Sequence, residues 1–212
     1  MPVALVIAPF HDKATEITSE CARIAVEILE ENGFHVYTLE KDNATRDKLE
    51  EFLRKHPDTR LIVYMGHGDE DKLIGQLPQG EVNPLIDLTN VDLLAGKVVV
   101  AVACLSGRRL GMSAIAHDAK AYLGWNDLVY IALPVEGVRN YQADFMRALL
   151  APVITVAKHR AFSEARRNFE EVCDYYISLY EQNKWKFWDV FKRFMEHNKN
   201  HFVIHGEEYG SL

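Results

Sequence analysis

The sequence is poor in cysteine and has no long apolar run. Its 212 residues include three cysteines, scattered along the chain with no CxxC motif. This excludes a disulfide framework and a cysteine-based zinc site. We expect a reducing, cytoplasmic compartment, in which the thiols stay free. No apolar stretch approaches the roughly 18 residues that cross a membrane. The segment from Met1 to Phe10 lacks the basic residue and cleavage site of a signal peptide. No membrane partner is therefore expected.

An excess of positive charge is also missing. The chain has 24 Lys and Arg against 31 Asp and Glu, so its net charge is −7. A general nucleic-acid binder needs cationic side chains to neutralise phosphates, so nucleic acid is not an expected partner. A GxxxxGK[ST] loop is absent, and no GxGxxG follows the first apolar run, which argues against a nucleotide-binding enzyme. The 48% hydrophobic and 26% charged residues are typical of a globular chain.

Three continuous apolar runs alternate with helical patterns. They cover Val3 to Ala8, Leu61 to Met65 and Val98 to Ala103. Runs without polar alternation indicate parallel strands buried on both faces. Segments with apolar residues at helical spacing separate these runs. The pattern predicts an α/β fold with an open, mostly parallel sheet and helices on both faces.

The last third of the sequence is predicted to be helical. We expect one domain over residues 1–212, with an α/β core over 1–150 and C-terminal helices over 151–212 packed on it. A continuous helical pattern runs from Thr155 to Gln182, and His201 to His205 suits a final strand. Cys21 and Cys173 lie on the apolar stripes of their helices, which predicts that both thiols pack in the core.

Two of the apolar runs end in reactive residues. Gly66-His67-Gly68 follows the run that ends at Met65, and Cys104 follows the run that ends at Ala103. Ligands of parallel sheets bind at the carboxyl ends of the strands, so neighbouring strands would bring these side chains together. A thiolate forms more readily beside an imidazole, which can then protonate a leaving group. The backbone N–H groups of Gly68 and Cys104 are expected to form an oxyanion hole.

These residues resemble a known family. An apolar strand ending in His67-Gly68, followed by one ending in Ala103-Cys104, resembles the caspase-like cysteine peptidases, and the short motifs are similar to CHAT and gingipain-type members. The resemblance covers roughly residues 60–170. It implies a three-layer sandwich with a mostly parallel central sheet, and hydrolysis of a protein or peptide substrate through a thioester. His67 would be the acid and base, Cys104 the nucleophile, and no cofactor would be needed.

The sequence departs from two of the family's specificity patterns. Metacaspases that cut after basic residues carry an acid two positions before the nucleophile, where this chain has Val102. Caspases have Gln at that position and Gly two positions after the nucleophile, where this chain has Ser106. The resemblance therefore implies neither basic nor aspartate specificity through these positions.

Several residues are candidates for the substrate pocket. His11 follows the first strand at the same sheet edge, Asp69 follows His67, and Trp125 and Asp127 follow the last core strand. An acid at Asp127 or Glu136 would favour Arg or Lys substrates through ion pairing. Solvated surface acids are the alternative explanation. The spacing His67-x-Asp69-x-Asp71 lacks further ligands, so no metal is expected.

Other interpretations of the same residues stay open. Cys104 could be an ordinary buried thiol. The chain could also be a non-catalytic caspase-like or CHAT-like binding or scaffold module. Trp185 and Trp188 could lie at a surface that contacts a regulatory partner or a second copy of the chain, because aromatic residues are enriched at interfaces.

Overall fold

The computed structural model describes residues 1–76, 83–132, 141–183, 186–207 and 209–212. In these ranges the strands are β1 (Val3–Ala8), β2 (His35–Glu40), β3 (Thr59–Met65), β4 (Gly68–Asp69), β5 (Lys72–Ile74), β6 (Pro84–Asp87), β7 (Val98–Val102), β8 (Ala121–Trp125) and β9 (Phe202–Gly206). The helices are α1 (Lys13–Glu31), α2 (Arg46–Lys55), α3 (Arg109–Ala116), α4 (Tyr141–Leu149), α5 (Ala151–Ala157), α6 (Phe162–Gln182) and α7 (Trp188–His201).

A six-stranded sheet forms the centre of the molecule, with strand order β2-β1-β3-β7-β8-β9. All neighbouring strands run parallel except β9, which pairs antiparallel with β8. The three apolar runs predicted as central strands are β1, β3 and β7, and every residue of β1 and β7 is buried. The predicted final strand is confirmed as β9.

Side chains alternate between the two faces of the sheet. In β1, Ala4 and Val6 face a core formed with α1 and α4 to α7, whereas Leu5 and Ile7 face a core formed with α2 and α3. Both faces are covered, which is why the central strands lack the polar alternation of a half-exposed sheet. The predicted mostly parallel α/β sandwich is therefore confirmed.

The prediction of one continuous helix from Thr155 to Gln182 is wrong over its first turns. The chain forms α5 and α6 instead, separated by residues 158–161. His159 adopts a positive φ of 52°, and Ala161 is extended with ψ 142°. A left-handed residue just past the last helical turn ends a helix, and apolar spacing alone does not reveal such a break. No described helix is both long enough and apolar enough to cross a bilayer.

A small antiparallel sheet follows β3. It pairs β4 with β5 and β5 with β6, so that β4 and β5 form a hairpin directly after His67. The hydroxyl of Tyr64 in β3 donates to the carbonyl oxygens of His67 and Ile74, at 2.6 and 2.7 Å. The end of β3 is therefore anchored to the hairpin, which fixes the backbone that carries His67.

Candidate active site

His67 and Cys104 lie at the same edge of the sheet. β3 and β7 are paired neighbours, and their register sets Met65 opposite Val102. Each of the two reactive residues is two positions beyond this pair, and the N–H of Gly66 donates to the carbonyl of Val102 at 3.3 Å. Both line a single cavity of about 100 Å³. The prediction that the two strands are neighbours is confirmed, and both residues line the same cavity.

Cys104 begins a sharp turn between β7 and α3. Leu105 adopts a φ of 58°, and its N–H donates to the carbonyl of Asp127 at 2.9 Å. The buried Ser106 hydroxyl donates to the carbonyl of Ala103 at 2.9 Å. The N–H of Val129 donates to the Cys104 sulfur at 3.3 Å. Cys104 is thus held against the segment of residues 126–131, which follows β8.

Asp12 contacts His67 directly. Its Oδ2 lies 2.6 Å from Nε2 of His67, although 55 positions separate the two residues. Asp12 is also the N-cap of α1, where Oδ1 accepts from the N–H of Thr15 at 2.8 Å. When Nε2–H donates to the carboxylate, Nδ1 is left with the lone pair that a general base needs. The contact between Asp12 and His67 was not predicted. The only sign of it in the sequence is an Asp at an N-cap position shortly after the first strand.

The hydrogen bonds hold Asp12 in its charged form. Burial opposes ionisation, but the donated bonds from the Thr15 backbone, from His67 and from the Thr15 hydroxyl outweigh it, so the pKa of Asp12 lies well below its usual value. The carboxylate is therefore negative throughout the neutral range, where it can stabilise a positive charge on His67.

His11 packs against His67, in keeping with its predicted place at this edge. The ring centroids are 5.3 Å apart. Burial lowers the pKa of His11, the charge of Asp12 partly opposes this, and His67 adds to the lowering. His11 Nδ1 is buried and has no hydrogen-bond partner among the described residues. The His11 ring therefore packs beside the Asp12–His67 pair, but His11 is not among the residues that line the cavity of Cys104.

Gly68 occupies a position where a side chain does not fit. A Cβ built there would lie 2.8 Å from the carbonyl oxygen of Cys104 and 2.9 Å from Cβ of Ala103. Close approach of the two backbones requires glycine at this point, which is a packing reason that the sequence did not show. The oxyanion role expected for the N–H groups of Gly68 and Cys104 stays a prediction.

Three predicted pocket residues lie elsewhere. The structure corrects the placement of Trp125, whose fully buried ring packs in the core and donates from Nε1 to the carbonyl of Asn198 at 2.9 Å. Asp69 lies in the exposed part of the hairpin, 3.7 Å from Lys72. Asp127 lines a different cavity with Arg108. Neither acid is among the residues that line the cavity of His67 and Cys104. Glu136 and Trp185 lie outside the described residues.

Asp127 belongs to a second histidine cluster. Its carboxylate accepts from the N–H of Leu128 at 2.8 Å and lies 3.7 Å from Nε2 of His201. The bond from Leu128 lowers the pKa of Asp127, burial opposes this, and the nearby His201, His197 and Arg108 add to the lowering. This acid is thus engaged by its own neighbours.

Among the described residues, two groups of side chains have the atoms and spacing to hold a metal ion. One is His11, Asp12 and His67, and the other is Asp127, His197 and His201. In each group the ligand atoms lie within 4.8 Å of one another. The spacing His67-x-Asp69-x-Asp71 does not form such a group in the described residues, because Asp69 and Asp71 lie beside Lys72 instead.

Comparison with known proteins relates the fold to peptidases. No protein-family model matches the sequence, and no curated protein matches it at a significant level. Among solved structures, the complex of the pro- and mature domains of RgpB from Porphyromonas gingivalis superposes with a TM-score of 0.63 and 13% identity, covering 99% of this chain and 48% of that one. A structure described as a protease superposes with a TM-score of 0.58 and 10% identity, covering 100% and 48%.

A third structure is an inactive zymogen of a C11 protease from Parabacteroides distasonis, with a TM-score of 0.43 and 14% identity over 60% of this chain and 49% of that one. This chain spans about half the length of these neighbours. The first two superpositions cover nearly all of this chain and confirm the predicted fold class, a caspase-like α/β sandwich.

Proposed function

We propose that this chain is a cysteine peptidase in which Cys104 is the nucleophile and His67 is the general base and acid. One observation carries the proposal: His67 and Cys104 follow paired parallel strands and line one cavity, with Asp12 bonded to Nε2 of the imidazole. A nucleophile, a base and a group that orients the base are the three parts of such a site. The short motifs favour the CHAT and gingipain-type branch of the caspase-like peptidases.

The proposed reaction uses these groups in order. Nδ1 of His67 takes the thiol proton, and the Cys104 sulfur attacks the carbonyl carbon of the substrate. The N–H groups of Gly68 and Cys104 are the proposed donors to the oxyanion, each donor contributing about 3–4 kcal/mol to transition-state stabilisation. Collapse breaks the C–N bond, and the amine leaves with the proton from His67. Water activated by His67 then hydrolyses the thioester and restores the thiol.

In this scheme Asp12 orients the His67 ring and provides a negative charge beside it. Its bond to Nε2 keeps the lone pair of His67 on Nδ1, and its negative charge stabilises the imidazolium that forms after proton transfer. The reaction needs no cofactor, but it needs a free thiol, which a reducing compartment such as the cytoplasm provides. A protein or peptide supplies the carbonyl.

The three cysteines differ in access, which makes the proposal testable. Cys104 is partly exposed, whereas Cys21 and Cys173 are 1% and 0% exposed. Burial raises the pKa of each of these two thiols to about 12. At neutral pH they form very little thiolate, the species that reacts with alkylating agents.

The experiment is timed alkylation with iodoacetamide, read by peptide mass mapping, together with hydrolysis of a peptide library. We expect Cys104 to be modified at least about 100-fold faster than Cys21 and Cys173 in the folded protein. Cys104→Ala is expected to abolish hydrolysis, and Cys173→Ala serves as the matched control. Equal labelling of all three thiols, or hydrolysis that survives in Cys104→Ala, would overturn the proposal and favour the binding or scaffold module.

A further inference from the structure

A large apolar cavity adjoins the cavity of Cys104. Its volume is about 650 Å³, within the range of cavities that bind small ligands. Three residues line both cavities, Ala14 from α1 and Val129 and Ile131 from the segment after β8. The larger cavity continues between this segment and helices α4 and α7. The two cavities therefore lie side by side and share part of their walls.

Aromatic rings form much of its wall. Phe145 and Phe191 meet edge to face with centroids 5.5 Å apart, and Tyr130 stacks on Phe194 at 4.6 Å. All four residues line the cavity. Contact between aromatic rings contributes binding free energy beyond that of burying apolar area. This wall therefore suits an aromatic or a large aliphatic group.

Charged side chains are scarce at this cavity. Among its described lining residues there is no carboxylate, and the only cation is Lys13. The Lys13 ammonium is exposed and paired with Glu16 at 2.6 Å. A buried Arg or Lys side chain would thus find no partner charge in the described wall, and burying an unpaired charge is strongly unfavourable.

The segment that lines both cavities also contacts Cys104. The N–H of Val129 donates to the sulfur of Cys104, while the Val129 and Ile131 side chains line the apolar wall. A substrate whose carbonyl carbon lies at the sulfur has its neighbouring side chain within reach of this wall. The position of the cavity, as well as its chemistry, relates it to the substrate.

We propose that this cavity binds a large apolar side chain, aromatic or branched aliphatic, of the substrate residue whose carbonyl carbon Cys104 attacks. The inference rests on the proposed peptidase function, and it assigns the substrate class. It also departs from the specificity expected of Asp127 or Glu136, since Asp127 lines a different cavity.

The test compares substrates that differ in one side chain. The probes are acetyl-Ala-Ala-Ala-X coumarin amides in which X is Phe, Leu, Gly, Arg or Asp. We expect kcat/KM for Phe and Leu to exceed that for Gly by about 10- to 200-fold, because each apolar group that fills the cavity adds to the discrimination. Arg and Asp are expected to remain near Gly.

Variants test whether the substrate preference arises in the apolar cavity. Ile131→Asp places a carboxylate in the shared wall, which should lower kcat/KM for Phe about 10-fold or more and raise that for Arg. Leu88→Asp adds the same charge at an exposed site away from Cys104 and should change neither value. Ala14→Leu, a helix-compatible change, fills space at the wall that the two cavities share and should reduce the Phe rate more than the Gly rate. It provides the test if Ile131→Asp does not fold.

The outcomes separate this inference from the peptidase proposal. Equal rates for all five amides, or a preference for Arg or Asp, would overturn the apolar cavity assignment and leave the peptidase proposal standing. If no amide is hydrolysed, binding of the free acids acetyl-Ala-Ala-Ala-Phe and acetyl-Ala-Ala-Ala-Gly to Cys104→Ala decides. Tighter binding of the Phe peptide, lost in Ile131→Asp, would support the cavity while the peptidase proposal falls. Equal binding would overturn both.

Discussion

Two clusters with the same residue types occur among the described residues. We call the first the strand-end cluster, made of His11, Asp12 and His67, and the second the helix cluster, made of Asp127, His197 and His201. Each contains two imidazoles and one carboxylate. In composition they are interchangeable, yet their hydrogen bonds differ.

The strand-end cluster joins its carboxylate directly to a ring that lines the cavity of Cys104. In the helix cluster the rings bond elsewhere. His197 Nε2 lies 3.0 Å from the carbonyl of Leu128, and His201 Nδ1 lies 2.9 Å from Oδ1 of Asn126. These bonds tie α7 to the segment that supports Cys104. The partner atom of each ring, rather than the residue type, therefore distinguishes the proposed catalytic cluster from the helix cluster.

The largest expected difference concerns one histidine from each cluster. His67→Ala removes the proposed base and is expected to lower kcat by about 10⁴- to 10⁶-fold. His201→Ala removes a ring outside the cavity of Cys104 and is expected to leave kcat within roughly threefold. Steady-state hydrolysis of the preferred peptide amide measures both. Comparable losses in the two variants would remove the distinction between the clusters.

The carboxylates provide the next comparison. Asp12→Asn keeps the shape of the N-cap but reverses the polarity presented to His67, so kcat should fall about 10²- to 10⁴-fold. Asp127→Asn is expected to cost less than about fivefold, because this carboxylate does not contact a group that lines the cavity of Cys104. A full pH–rate profile of each variant is the measurement. An Asp12→Asn profile that matches the unmodified protein would show that the 2.6 Å contact has no part in catalysis.

Replacing Asn198, whose side-chain amide is buried on α7, should affect the stability of the fold more than the rate of hydrolysis. Asn198 is fully buried, its Oδ1 accepts from the N–H of Tyr130 at 2.9 Å, and its Nδ2 donates to the Tyr130 carbonyl at 2.8 Å. Asn198→Ala leaves two backbone groups unsatisfied and should cost about 2–3 kcal/mol of unfolding free energy. Urea unfolding measures this, with His197→Ala as a milder comparison near about 1 kcal/mol. Similar, small losses in both would contradict the importance of the Asn198 contacts.

The smallest expected effect is on acid stability. The pKa values of Asp12 and Asp127 are both lowered in the folded state, so each carboxylate stabilises the fold above its unfolded pKa near about 4. That stability is lost as the pH falls from there through the lower folded pKa. Asp12→Asn should therefore flatten the decline below about pH 4, by at most about 1 kcal/mol because Asp12 is half exposed. Urea midpoints between about pH 5 and pH 2.5 test this, and an unchanged slope would contradict it.

The sheet edge could be predicted from the sequence because its causes are local. Continuous apolar runs indicate central strands, and a reactive residue at the end of each run must appear at the carboxyl edge. His67 and Cys104 follow from this rule alone. Their adjacency needs one further fact, the pairing of β3 with β7, which the structure provides.

The partners of these residues could not be predicted in the same way. Asp12 is recognisable in the sequence as an N-cap, but its contact with His67 depends on how β1 and β3 pair. Trp125 was placed in the pocket because it follows a short strand, whereas β8 includes it and pairs it with Phe202 of β9. The apolar cavity combines α1, α4 and α7, and only tertiary packing brings those helices together.

The antiparallel pairing of β9 with β8 has a consequence for the order in which the protein is made. The ribosome delivers β7 and Cys104 well before α7 and β9. Until those later residues emerge, Trp125 lacks its edge partner and Tyr130 lacks the amide of Asn198. A nascent chain therefore carries Cys104 on a loop that lacks these contacts. The segment that holds the Cys104 sulfur gains its full support only after α7 and β9 have been translated.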